Sequence, residues 1–101
     1  MKIIRWNSNE EVDLRELEAS LRKEGLQPFL WKDRAGAFYP THSHRYTEIR
    51  WILEGSITFG VDGEEVTLNP GDRLELPAGT PHYAKTSHNT YSTYLCASKV
   101  L

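Results

Sequence analysis

The stretch Gly36-Ala37-Phe38-Tyr39-Pro40-Thr41-His42-Ser43-His44-Arg45-Tyr46-Thr47-Glu48-Ile49-Arg50-Trp51-Ile52-Leu53-Glu54-Gly55 carries a His-x-His pair, a glutamate just beyond it and a glycine at each end. Its aromatic and β-branched residues suit a pleated strand. In a strand, residues i and i+2 face the same side, so His42 and His44 share a face with Cα atoms ~6.6 Å apart. Two imidazoles at that spacing reach a common ion through bonds of about 2.1 Å. Glu48 has the same parity, but a straight strand from 42 to 48 spans ~20 Å. For Glu48 to serve the same ion, the chain must bend at Arg45-Tyr46-Thr47 and bring the glutamate back on the next strand.

A second stretch, Gly71-Asp72-Arg73-Leu74-Glu75-Leu76-Pro77-Ala78-Gly79-Thr80-Pro81-His82, ends on another histidine. Two prolines and a glycine restrict the backbone ahead of His82, which positions a ligand with little ordering entropy left to lose. Together the two stretches resemble the cupin superfamily, in its small single-domain form. The family's first motif is a glycine, five residues, His-x-His, three or four residues, a glutamate, six residues and a glycine; Gly36, His42, His44, Glu48 and Gly55 stand at those places. Its second motif is a glycine, five residues, Pro-x-Gly, two residues, a histidine, three residues and an asparagine. Gly71, Pro77, Gly79 and His82 match it, and Thr86 replaces the asparagine, which is not a ligand in the family pattern. The resemblance implies an all-β fold, a jelly-roll barrel of antiparallel strands with one metal inside. It also implies His42, His44, Glu48 and His82 as the metal ligands.

Three neutral imidazoles and one carboxylate suit a divalent transition metal: Fe, Mn, Ni, Co, Cu or Zn. Four protein ligands leave two positions of an octahedral ion for water, substrate or dioxygen, so the site is built for exchange. Arg50 shares parity with Glu48 and is expected to face the interior, either anchoring an acidic ligand or pairing with Glu75. Glu75 and Tyr83 are the nearest candidates for a general acid or base, and Tyr46 and Tyr83 for framing the pocket mouth.

Working outward, short β-rich runs fill 28–34, 37–42, 47–54, 56–61, 64–68, 72–77, 80–86 and 90–97. Turn residues separate them, with Asp62-Gly63 the strongest hairpin signal. Upstream lies one helix. Asp13 is its expected N-cap, with Glu16 three residues later as in a capping box. Leu14, Leu17 and Leu21 form an apolar stripe, and Gly25 offers the left-handed stop. The stripe is expected to pack outside the barrel or on a partner chain. The expected division is an arm and helix over 1–27 and a barrel over 28–101, in one domain.

The chain has 101 residues, of which 39% are hydrophobic and 26% charged. Twelve Lys and Arg stand against fourteen Asp and Glu, so no basic excess argues for nucleic acid. No apolar run approaches the ~20 residues of a membrane helix. Cys96 is the single cysteine and forms no intrachain disulfide, which fits a reducing, cytoplasmic setting. The expected partner is a small molecule. A homodimer is expected through strand edges at 1–7 or 28–34. Two functions compete: a metal-dependent dioxygenase- or isomerase-type enzyme, and a small-molecule binding or sensing module without turnover.

Overall fold

The computed structural model describes residues 1–100. Its elements in chain order are β1 (Lys2–Ile4), α1 (Leu14–Lys23), β2 (Phe29–Asp33), β3 (Phe38–His42), β4 (Thr47–Glu54), β5 (Ile57–Val61), β6 (Glu64–Leu68), β7 (Arg73–Leu76), β8 (His82–Thr86) and β9 (Ser92–Lys99). The strands form a five-stranded sheet, β1-β7-β4-β9-β2, and a four-stranded sheet, β3-β8-β5-β6. Every pairing is antiparallel. This is the expected jelly-roll architecture, and each barrel strand lies within two residues of its expected run.

Alternation of side chains along the strands builds two cores. Between the sheets lie Ile52, Ile57, Phe59, Leu68, Leu74 and Leu76, each 2% exposed or less. Burying a side chain of this size stabilises by roughly 1.5–3 kcal/mol. The odd residues Ile49, Leu95 and Ala97 point the other way, and Leu17 and Leu21 of α1 cover them. The leucine stripe therefore packs on the outside of the barrel, within the same chain.

The helix ends as its sequence demands. Asp13 accepts hydrogen bonds from the N–H groups of Arg15 (2.8 Å) and Glu16 (3.4 Å). At the other end Gly25 takes a φ of +82°, its N–H donates to Arg22 O (2.9 Å), and Leu26 N–H donates to Leu21 O (3.1 Å). That bond pair is the Schellman arrangement, which satisfies two otherwise orphaned carbonyls. At the β5–β6 hairpin, Asp62 and Gly63 both have positive φ (52° and 78°), as a twisted two-residue turn requires.

One strand departs from simple alternation. Tyr39 pairs with Ala84 and His42 with His82, with a register shift between them at Pro40-Thr41. This bulge adds one residue, so Tyr39 and His42 face the same side although their numbers differ by three. The N-terminal arm joins the sheet as its other edge: β1 pairs with β7, Lys2 opposite Glu75 and Ile4 opposite Arg73, and has no strand on its far side. The free flank of β2 remains at the end of its sheet.

Candidate metal centre

The bend expected at Arg45-Tyr46-Thr47 is present at Arg45-Tyr46, and Thr47 already opens β4. It brings the two halves of the first motif together. His42 closes β3 directly across from His82, which opens β8. The ring centroids lie 4.4 Å apart for His42–His82, 4.8 Å for His42–His44 and 5.5 Å for His44–His82. One nitrogen of each of the three imidazoles lies within 4.8 Å of the other two, close enough to hold a metal ion. The loop of the second motif is tied to the first by Gly79 N–H donating to His44 O at 2.7 Å.

Backbone carbonyls set the tautomers of two of the rings. His42 Nδ1 lies 2.6 Å from Pro40 O, and His82 Nδ1 lies 2.8 Å from Thr80 O. A carbonyl only accepts, so each Nδ1 carries the proton, and in the neutral ring Nε2 is left with a lone pair. His44 stacks on Tyr46 with centroids 4.9 Å apart. Burial holds the His44 pKa below the ordinary imidazole value; Glu48 pulls it upward, and His42, His82 and Arg50 push it further down. A neutral imidazole is the form that binds a metal.

Glu48 lies against two of the three imidazoles. It is 3% exposed, and its Oε2 lies 3.1 Å from His82 Nε2 and 3.8 Å from His44 Nε2. Its Oε1 is paired with the Arg50 guanidinium. Glu48 Oε2 and His82 Nε2 are both buried with no hydrogen-bond partner. In the neutral ring with its proton on Nδ1, His82 turns a lone pair on Nε2 toward the buried Glu48 Oε2 at 3.1 Å, an arrangement a cation relieves. The residues therefore fit the divalent metal that the donor set implies. The donors line one end of a cavity of about 280 Å³ between the sheets.

Arg50 faces this cavity, as its parity requires, but it does not pair with Glu75. In the β4–β7 register Arg50 stands opposite Leu74, and Glu75 opposite Ile49 on the helix side of the sheet. There Glu75 accepts from Arg73 (3.1 Å) and Lys99 (3.4 Å). Tyr83 follows His82 and so points out of the barrel, where its hydroxyl meets Glu65. Neither Glu75 nor Tyr83 lines the cavity.

The cavity wall also contains residues with no assigned part in the motifs. Cys96 lies opposite Arg50 in the β4–β9 register, and burial pushes its thiol up to about 11. Trp31, Tyr39 and Tyr94 line the other end. Behind them, Asp33 accepts hydrogen bonds from Tyr39 Oη (2.5 Å), Tyr94 Oη (2.6 Å) and Trp31 Nε1 (3.0 Å). Pro40 is the available sequence signal for this end, because a proline inside a strand marks a bulge and hence a change of parity.

Comparison with known proteins agrees with this geometry. The model of the family described as "Cupin domain" matches residues 29–98. Quercetin 2,3-dioxygenase of Bacillus subtilis is 51% identical over 51 residues, 48% of this chain and 15% of that protein. An acireductone dioxygenase of Tuber melanosporum is 36% identical over 67 residues, 61% of this chain and 39% of that protein. Among solved structures, the DMSP lyase DddQ of Ruegeria pomeroyi DSS-3 superposes with a TM-score of 0.65 at 30% identity, over 74% of this chain and 38% of its own. The chain thus spans less than half the length of each of these relatives.

Proposed function

The chain belongs to the cupin family, and from that premise we propose that His42, His44, Glu48 and His82 hold one divalent transition-metal ion that captures a small oxygen-rich or acidic molecule. The observation that carries this reading is the pair of partnerless buried atoms, Glu48 Oε2 and His82 Nε2, 3.1 Å apart beside two further imidazoles. Dioxygenases and a lyase among the relatives support chemistry on small molecules at such a site.

Bound there, the metal would act as a Lewis acid on an oxygen of the captured molecule. The protein's own groups have distinct parts. The Pro40 and Thr80 carbonyls hold the His42 and His82 rings with Nε2 turned inward. Arg50 fixes one oxygen of Glu48 and frees the other for the site. Phe59 and Ile57 keep the wall apolar and limit water.

A second reading is binding without turnover. Its support is that Glu75 and Tyr83, the two acid–base candidates, lie outside the cavity. Metal analysis of protein purified without chelators tests the first part. The wild type is expected to carry close to one metal per chain and a His42→Ala/His82→Ala variant none; equal metal content in the two sinks the site. Oxygen uptake with small phenols and diketones then separates dioxygenase turnover from binding.

The proposal extends to assembly and location. Phe29, Leu30 and Trp31 are 55%, 49% and 47% exposed on the edge strand β2. An uncovered apolar edge is an aggregation hazard, and a second copy pairing there removes it. A homodimer in the cytoplasm is the proposed form, and sedimentation as a monomer at micromolar concentration would count against it.

A further inference from the structure

Asp33 stands behind three residues of the cavity wall, Trp31, Tyr39 and Tyr94, and does not line the cavity itself. This residue is 6% exposed, and its three side-chain partners, Tyr39, Tyr94 and Trp31, are all neutral donors. They come from three strands. Trp31 and Tyr94 are cross-strand partners in the five-stranded sheet, while Tyr39 belongs to the four-stranded one. Asp33 therefore ties the two sheets together where the edge strands β2 and β3 meet.

The proton positions follow from donor and acceptor inventory. A carboxylate only accepts, so both phenols must turn their hydrogens toward Asp33. The indole N–H has a single hydrogen, and it is directed at Asp33 with a longer contact to Tyr39 Oη at 3.3 Å. Burial first, and the bond to Asp33 second, raise the pKa of both Tyr39 and Tyr94, so the phenols stay protonated. What the phenols have left for the cavity is oxygen lone pairs. The surrounding surface is aromatic, from Trp31, Tyr39, Tyr94 and Phe59. The cavity, at about 280 Å³, is larger than the roughly 150 Å³ that suffices for a benzene ring.

We propose that Asp33 is a positioning residue that turns Tyr39 and Tyr94 into a hydrogen-bond-accepting subsite, which selects small aromatic ligands bearing a free hydroxyl. The hydroxyl donates to the phenol oxygens while the ring lies against the aromatic wall. This names a ligand class for the cavity proposed above and rests on that reading for its biological use. The subsite itself contains no metal ligand, so its preference is measurable with or without metal.

The test uses 4-fluorophenol and 4-fluoroanisole, titrated against metal-loaded and chelator-treated protein and followed by fluorine NMR. Wild-type protein is expected to prefer the phenol by roughly tenfold, the worth of one well-made hydrogen bond, in both samples. Asp33→Asn supplies an N–H to one phenol oxygen and returns a phenol hydrogen to the cavity, so the preference falls toward one while metal content stays at the wild-type level. Should Asp33→Asn fail to fold, Tyr39→Phe/Tyr94→Phe removes both acceptors and is expected to lose the preference too. No discrimination by the wild type, no binding of either probe, or an unchanged ratio in whichever variant folds overturns the subsite. A protein that takes up no metal but keeps the preference sinks the metal reading alone.

Discussion

The Arg50 guanidinium is bonded to one oxygen of Glu48, and the other oxygen of that carboxylate faces His82 Nε2 at 3.1 Å. One buried carboxylate thus meets a fixed cation on one side and the proposed metal site on the other. Two effects of Arg50→Ala oppose each other. Removing a positive charge near the site favours a bound cation, but freeing Glu48 costs orientation. Loss of a group that orients a metal ligand typically weakens metal binding 10–100-fold, which outweighs the repulsion across a carboxylate already lying between the charges. Arg50→Ala is therefore expected to bind metal roughly tenfold more weakly in chelator competition. In the metal-free form it leaves Glu48 buried without a counter-charge, at a stability loss of about 3 kcal/mol. A smaller loss in the metal-loaded form would show the ion replacing the arginine.

Metal removal is expected to lower stability by mass action. With free metal at about a hundred times Kd, binding contributes about 2.7 kcal/mol. For a chain of this size that corresponds to a melting temperature lower by roughly 10–20 °C after chelation. Calorimetry with and without chelator reads it directly. The His42→Ala/His82→Ala variant is expected to melt at one temperature in both conditions; a chelator effect persisting there would place the stabilising ion elsewhere.

Much of the site is legible in the chain because period-2 alternation is a local rule. It places His42, His44, Glu48 and Arg50 on the interior, provided the bend at Arg45-Tyr46 exists. The partner of Arg50 is not local. It depends on the β4–β7 register, which sets Arg50 beside Leu74 and sends Glu75 to the helix side. Parity alone also puts Tyr39 on the wrong face, because the bulge at Pro40-Thr41 inserts one residue. Asp33 is harder still. Its role arises from Tyr39 and Tyr94, which are 6 and 61 residues away in sequence. The helix, by contrast, carries its cap, stripe and stop within thirteen residues, and all three are where the sequence puts them.

Cys96 tests the dryness of the cavity. Burial pushes its thiol up to about 11, so little thiolate exists at neutral pH and access is limited as well. In native protein at pH 8 its reaction with a thiol-specific disulfide reagent is expected to be slow, and in urea fast. Rapid native modification would mean that the cavity admits water freely beside Arg50.

Gly55, which closes the first motif, is expected to be far less replaceable than Gly63. Both have positive φ, 72° and 78°. That conformation alone costs an L-residue roughly 1–2 kcal/mol. At Gly63 a Cβ meets open space, whereas at Gly55 it lies 2.4 Å from Tyr91 O and 2.7 Å from Ser92 Oγ. Backbone cannot yield as a side chain can, so Gly55→Ala is expected to lose about 2–4 kcal/mol and Gly63→Ala about 1. Equal urea midpoints for the two variants would contradict the close approach.

Asp72 anchors the N-terminal arm, and its contribution should disappear in acid. Its carboxylate accepts from Asn69 N–H (2.9 Å), Trp6 N–H (2.9 Å) and Arg5 (2.8 Å). Burial works to raise its pKa, but these three bonds outweigh it and the net movement is downward from 3.8. A carboxylate whose folded pKa is depressed stabilises fully above its unfolded pKa, and the stabilisation is lost as pH falls through the folded value. Asp72→Ala is therefore expected to lose about 2–3 kcal/mol at pH 7, where it orphans two backbone N–H groups and leaves the Arg5 guanidinium only its bond to Thr67 O and solvent. The gap to wild type should hold constant down to about pH 5 and narrow below the unfolded pKa. Glu24, lowered chiefly by its bonds to Arg73 at 2.7 and 2.8 Å, adds a second acid-sensitive clasp between helix and sheet. Urea titrations at a series of pH values resolve the two. A gap between wild type and Asp72→Ala that widened as the pH fell would mean that burial, not hydrogen bonding, governs this carboxylate.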